Sequence, residues 1–134
     1  MAKAKRVTYF KANIEDKPGA LLALAKDLNA KKLGLIGLKG LGQAGKGEIL
    51  VIAKSPDKLR EAWKASGSIA EEGVAFLLSG SDKTGALVAS LDIIAKAGVN
   101  IVAVEALAVG GKFGAVLWVA PADLDRTAQA LGAK

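Results

Sequence analysis

Asp16-Lys17-Pro18-Gly19 and Asp82-Lys83-Thr84-Gly85 are the stretches of this chain whose residue types and order fit recognition of a small ligand. Each falls between a β-branched or apolar run and the first turn of a helical pattern. A helix start offers unpaired backbone N–H groups and the positive end of a dipole, which attract a carboxylate. A glycine there lets the backbone come close to what it binds, and the neighbouring aspartate can take an ammonium. Together these features suit a zwitterion. Aspartate is also a good helix cap, so Asp16 and Asp82 have a purely structural reading beside the ligand-binding one.

The two tetrads lie 82 − 16 = 66 residues apart, and this offset runs through the chain without a gap. It sets Phe10 on Phe76, Leu41 on Leu107, Gly45-Lys46 on Gly111-Lys112 and Asp57-x-x-Arg60 on Asp123-x-x-Arg126. Twice 66 is 132 of the 134 residues, so the repeat fills the sequence. A period of this length identifies the unit of architecture, here residues 1–67 and 68–134. Units this small hold a marginal core and are expected to fold as one body or against a partner.

The elements that must position the tetrads follow from local patterns. Residues 6–13 read as a strand. Helix one is expected from Asp16 as cap, with Pro18 in the first turn, where its missing N–H costs nothing. Ala20, Leu21, Leu24, Ala25 and Leu28 give it one apolar face. Residues 33–39 and 47–53 read as strands around a Gly-rich hairpin loop at 40–47, and Ser55-Pro56 opens helix two, with Leu59, Ala62 and Trp63 on its apolar side. The second half repeats the order: a strand at 74–79, a helix capped by Asp82 and stopped by Gly98, strands at 99–109 and 114–119 around Gly110-Gly111, and a helix opened by Pro121. This is the split β-α-β, ferredoxin-like order of an α+β fold, with helices on one face of an antiparallel sheet. Two expectations go further. Residues 49–53, 74–78 and 115–119 are apolar at consecutive positions, whereas a sheet with one wet face alternates; the second face is expected to be covered, by a second copy of the chain. Residues 68–73 are expected to give the first half its last strand. By register the counterpart in the second half is residues 2–7, so the N-terminal segment is expected beside the second half.

Composition narrows the chemistry. The chain has no cysteine and no histidine, which removes disulfides, thiol catalysis and the usual transition-metal ligands. No cofactor or metal is called for, and no cluster of ionisable residues beyond the two aspartates points to an enzyme. No apolar run approaches the length of a membrane span, and the basic start, Lys3-Ala4-Lys5-Arg6, has no apolar stretch behind it, so a cytoplasmic protein is expected. The net charge of +6 raises an alternative, a basic ferredoxin-like protein that binds nucleic acid, but the lysines are scattered and read more simply as a solvated surface. Lys112 to Trp118 bears a faint likeness to an RNA-recognition strand, and Trp63 and Trp118 fit a core or interface better. Gly40-Leu41-Gly42-Gln43-Ala44-Gly45 fits a dinucleotide or phosphate-loop pattern only if a helix follows, and here a strand follows. Glu71-Glu72 reads as a solvated turn.

The Asp-x-Pro-Gly-Ala-Leu run between strand one and helix one, together with the β-α-β-β-α-β order, resembles the ACT domain, and both halves fit. Thr84 replaces the proline in the second copy. Ala97-Gly98-Val99-Asn100-Ile101 is similar to the family's Gly-Val-Asn-Ile segment, where the first half has Leu33-Gly34-Leu35 and no Asn. The resemblance implies a tandem regulatory module that binds a small ligand, usually an amino acid, where two such domains meet. It implies contacts from Asp16, Lys17, Pro18, Gly19, Ala20 and Leu21 in the first loop, from Asp82 and Gly85 in the second, and from Asn100 and Ile101 on the facing strand. It leads to the expectation of one competent and one degenerate site per pair of halves. The implied partners are the ligand, further copies of the chain in a homodimer or higher homo-oligomer, and a regulated enzyme or transcription factor, with no membrane.

Overall fold

The computed structural model describes residues 2–81 and 84–134 of the chain; the expectations placed on Asp82 and Lys83 fall outside them. The elements are β1 (Lys3–Glu15), α1 (Ala20–Ala30), β2 (Leu35–Gln43), β3 (Lys46–Ala53), α2 (Pro56–Ser66), β4 (Glu71–Ser81), α3 (Thr84–Lys96), β5 (Ile101–Val109), β6 (Lys112–Val119), a short 3-10 turn at Pro121–Asp123 and α4 (Leu124–Leu131). By packing, the chain divides into residues 8–73, and residues up to Val7 together with 74–134.

In the unit of residues 8–73 the strand order is β2-β3-β1, with the start of β4 beyond β1. The backbone N–H of Ala70 donates to the Lys11 carbonyl at 2.8 Å, leading residues 71–73 into place. β1 and β3 pair antiparallel, Phe10 with Val51 and Ala12 with Ile49, so these four side chains share a face. Leu28 of α1 and Leu59 and Trp63 of α2 close on that face. The Trp63 ring meets Phe10 edge-on, with centroids 6.3 Å apart, and the Arg60 guanidinium stands 5.6 Å over Phe10, held by Asp57 and Glu72. Ser55 and Pro56 start α2 where the sequence placed them, although the Ser55 hydroxyl makes no capping bond.

The second unit has the same plan: β4-β6-β5, with the first residues of β1 on the other side of β4. Ala2 is buried and Ala4 packs beside it, in a core with Phe76, Leu78, Phe113 and Leu117. The Arg6 N–H donates to the Lys134 carbonyl at 3.0 Å, and the Arg6 guanidinium pairs with Asp125 at 3.3 Å. The N-terminal segment therefore lies with the second half. Gly98, at φ 74°, ends α3: its N–H returns to the Ala95 carbonyl and that of Val99 to Ile94, the left-handed glycine stop that the sequence signals.

Three local expectations are corrected. Residues 40–43 are not loop but the end of β2, hydrogen-bonded in register from Gly40↔Ile49 to Gln43↔Lys46. The turn is only Ala44-Gly45, with φ of 53° and 79°, the two-residue form whose twist suits a hairpin. Helix α1 begins at Ala20 rather than beside Asp16. Gly19, left-handed at φ 85°, is its N-terminal cap residue, and no side chain caps it. Finally, Leu50 and Ile52, on the face of β3 opposite Ile49 and Val51, are 8% and 2% exposed within the chain itself. That apolar run therefore does not require a second copy as its cover. The exposed apolar side chains lie elsewhere, on β2, β5 and the outer sides of α1 and α3.

Candidate functional site

The β1–α1 connection folds back on the sheet instead of leading straight into the helix. The Asp16 N–H donates to the Gly45 carbonyl at 3.3 Å, tying the loop to the β2–β3 turn, and the Ala20 N–H donates to the Lys17 carbonyl at 3.3 Å. Gly19 then redirects the chain, and its carbonyl receives the Ala23 N–H at 3.0 Å as the first helical bond. A non-glycine residue at this left-handed φ would carry strain of roughly 1–2 kcal/mol.

Beneath the loop the sheet is bare. Gly42 pairs with Gly47 and Gly40 with Ile49, placing Gly40, Gly42 and Gly47 on one face. The Asp16 carboxylate rests on Gly42 so closely that a Cβ there would collide with it: its Cγ would be 2.6 Å and its Oδ2 2.8 Å away. Gly47 makes room in the same way for Ile14, whose Cγ1 would be 2.8 Å from an added Cβ. The result is a pocket of about 240 Å³. Its walls are Ile14, Ile49, Ala20 and Leu21, its floor is the strand from Gly40 to Gly42 with Gly47, and its charged rim is Glu15, Asp16 and Lys17. Lys17 Nζ pairs with the Glu15 carboxylate at 2.7 Å. Their hydrogen bond, followed by their charge attraction, holds the Glu15 acid below and the Lys17 ammonium above their ordinary pKa ranges. A pocket with a carboxylate and an ammonium at its mouth, an apolar wall and a helix start beside it can hold a small zwitterion with an aliphatic side chain.

The sequence-derived residues divide as follows. Asp16, Lys17, Ala20 and Leu21 come together in the pocket, and Pro18 and Gly19 shape the loop that frames it. Asn100 and Ile101 stand at the entry to β5 in the other unit and are not among its lining residues. Gly85 lies inside the first turn of α3. Asp16 does not cap α1; its carboxylate is turned onto the sheet. Sequence reasoning passed over Gly40, Gly42 and Gly47 as turn residues. Alternate spacing of 40 and 42 was the available signal, since residues two apart in a strand share a face.

On the other face of the same unit, a polar cluster braces β1 against β3 and β4. Tyr9 donates to Glu71 at 2.8 Å, and Lys11 lies 3.6 Å from both Glu48 and Glu71. Burial, then the Glu71 hydrogen bond and charge, push the Tyr9 phenol up to about 12. Among the described residues no group of three or more acidic, His or Cys side chains is placed to hold a metal ion, and no helix is long and apolar enough to cross a membrane.

No family profile and no curated protein sequence matches the chain. Solved structures do. Protein BT0572 from Bacteroides thetaiotaomicron superposes with a TM-score of 0.81 at 22% identity, over 96% of this chain and 88% of that one. The ligand-free regulatory subunit of aspartate kinase from Thermus thermophilus gives 0.62 at 10% identity, covering 98% and 94%. That from Thermus flavus gives 0.56 at 13%, with the same coverage. At these identities the likeness is one of fold. With two β-α-β-β-α units of ferredoxin-like strand order and aspartate kinase regulatory subunits among its structural neighbours, the chain has a tandem ACT-like, α+β fold.

Proposed function

We propose that this chain is a non-catalytic regulatory protein, acting in the cytoplasm, that binds a free amino acid or a similar small metabolite in the pocket beneath the β1–α1 loop. The observation that carries this reading is the Asp16 carboxylate on Gly42, at the mouth of an apolar pocket that also receives the start of α1. Asp16 takes the ammonium, the loop and Lys17 take the carboxylate, and Leu21 and Ile49 take the side chain. The fold shared with regulatory subunits of aspartate kinases supports a regulatory role. The repeats of residues 1–67 and 68–134 are read as a duplicated unit, and a regulated enzyme or transcription factor as the reader of the signal. Copies of the chain associate, and in the assembly Asn100 and Ile101 of a second copy complete the site. β2 and β5 end their units' strand orders and carry exposed apolar side chains, Leu41 at 57% and Leu107 at 71%. Unpaired, apolar strand edges of this kind are templates for association.

An amino acid of roughly 8–10 heavy atoms, at about 0.7 kcal/mol per atom, binds with about 6 kcal/mol, a Kd of tens of micromolar. The test is thermal unfolding against each of the twenty amino acids, followed by calorimetry on those that act. At 100 times Kd the ligand adds about 2.7 kcal/mol, an easily read rise in Tm. No response to any of the twenty would overturn the amino-acid reading. A steeply salt-dependent oligonucleotide shift in its place would favour nucleic acid. Sedimentation of the wild type and of Leu107→Lys tests association; a wild-type monomer at every concentration would remove that part.

A further inference from the structure

The 66-residue register sets every residue of the pocket against a counterpart in the second unit, and the counterparts are larger where the pocket is bare. Gly40 and Gly42 become Ala106 and Ala108, and Gly47 becomes Phe113. The pairing is equivalent: Gly42↔Gly47↔Ile14 in one unit answers to Ala108↔Phe113↔Gly80 in the other. The bulky residue has thus changed strands. In the first unit Ile14 leans over Gly47. In the second the Phe113 ring leans over Gly80, 3.3 Å from where a Cβ would stand, in the core cluster that also holds Ala2. The ring is only 9% exposed and belongs to the core.

The helix above has responded. In the first unit Ala20 and Leu21 stand clear of the core cluster and line the pocket, with Leu21 43% exposed. Their counterparts Ala86 and Leu87 pack onto the core cluster that contains Phe113. The loop differs too. Register places the start of α3 at 20 + 66 = 86, yet it starts at Thr84, so Gly85 lies within the helix and lacks the left-handed φ of Gly19.

We propose that Phe113, with Ala106 and Ala108, plugs the second repeat's copy of the pocket, so that among the described residues each chain offers one such pocket, in the first repeat. The stoichiometry rests on the binding reading above; the plug itself does not. Ligand-free thiol chemistry tests it, because the chain has no cysteine of its own. Ala20→Cys and Ala86→Cys place single thiols at equivalent points, and their rates of reaction with methyl methanethiosulfonate are compared after correction for each thiol's own pKa. Both alanines are half-buried, but Cys at 20 faces the open pocket, whereas Cys at 86 packs onto the core cluster that holds Phe113 and is expected to react more slowly. Phe113→Ala added to Ala86→Cys is expected to recover most of the difference. If Phe113→Ala does not fold, Phe113→Leu is read in the same way. Equal rates at 20 and 86 would overturn the plug. A slow rate at 86 that neither folded Phe113 variant raises would also overturn it, because the ring would then not be what closes the space. Failure of every amino acid to bind removes the stoichiometry and leaves these rates unchanged.

Discussion

Gly42→Ala separates ligand binding from stability. The added Cβ would sit 2.6 Å from the Asp16 Cγ and 2.8 Å from its Oδ2. Carbon atoms in contact settle at about 3.5–4.0 Å, so the carboxylate must retreat by about 1 Å. Asp16 is exposed and can rotate, at the roughly 0.5–1.5 kcal/mol of an off-rotamer side chain. Global stability should therefore fall by no more than that. Binding should fall further, since a hydrogen bond to a charged group contributes about 1.5–3 kcal/mol, which is roughly 10- to 150-fold in Kd. The assay is calorimetry with the amino acid that gives the largest rise in Tm, run on wild type, Gly42→Ala, Asp16→Ala and the double variant. Because the glycine acts through the aspartate, Gly42→Ala should add less than about 0.5 kcal/mol in the Asp16→Ala background, a strong departure from additivity. Full additivity, or an unchanged Kd for Gly42→Ala alone, would refute the reasoning.

Three other outcomes are expected. The one tyrosine of the chain gives an isolated ultraviolet titration, with its midpoint near 12 and lowered by Glu71→Gln. Because the folded value is raised above the ordinary 10, this stabilisation is complete below pH 10 and is lost as pH climbs from 10 through 12; a midpoint near 10 would contradict the Tyr9–Glu71 bond. Gly19→Val forces a β-branched residue into a left-handed φ, which should cost about 1–2 kcal/mol by denaturation and abolish ligand stabilisation while the circular dichroism stays helical; surviving ligand stabilisation would take the loop out of the site. Trp63→Ala empties the space against Phe10 and should cost about 3–5 kcal/mol of unfolding free energy, with ligand affinity little changed in the protein that remains folded; a loss under 1 kcal/mol would contradict its core position.

The element order was legible because each half carries both periods, alternating or apolar runs for strands and Leu24-x-x-x-Leu28 spacing for helices, and because the halves vouch for each other. The loop that carries the candidate site was legible as well, from Asp16, Pro18 and Gly19. Its conformation was not. An aspartate before Pro-Gly reads as a cap, but a left-handed Gly19 took the capping position, in a loop tied to the Gly45 carbonyl, 45 − 16 = 29 residues away. The floor was hidden for a related reason. Gly40, Gly42, Gly45 and Gly47 crowd eight residues, and crowded glycines signal a turn. Only Gly45 turns the chain; the other three are small because a side chain from another element lies over each of them. The consecutive apolar run at 49–53 did signal that Leu50 and Ile52 are covered, but not that the chain itself buries them.

The bond from Arg6 to Lys134 joins positions 134 − 6 = 128 apart in sequence, so synthesis delivers one of its ends long before the other. Residues 8–73 can close their core from what has already been made. The second unit cannot, because Ala2 and Ala4 must stay unpaired until β4, β6 and α4 have emerged. Contacts this distant slow folding, and a waiting, strand-forming segment is exposed in the interval to other chains. Trimming residues 2–6 should therefore injure the C-terminal half of the chain, far along the sequence from the cut.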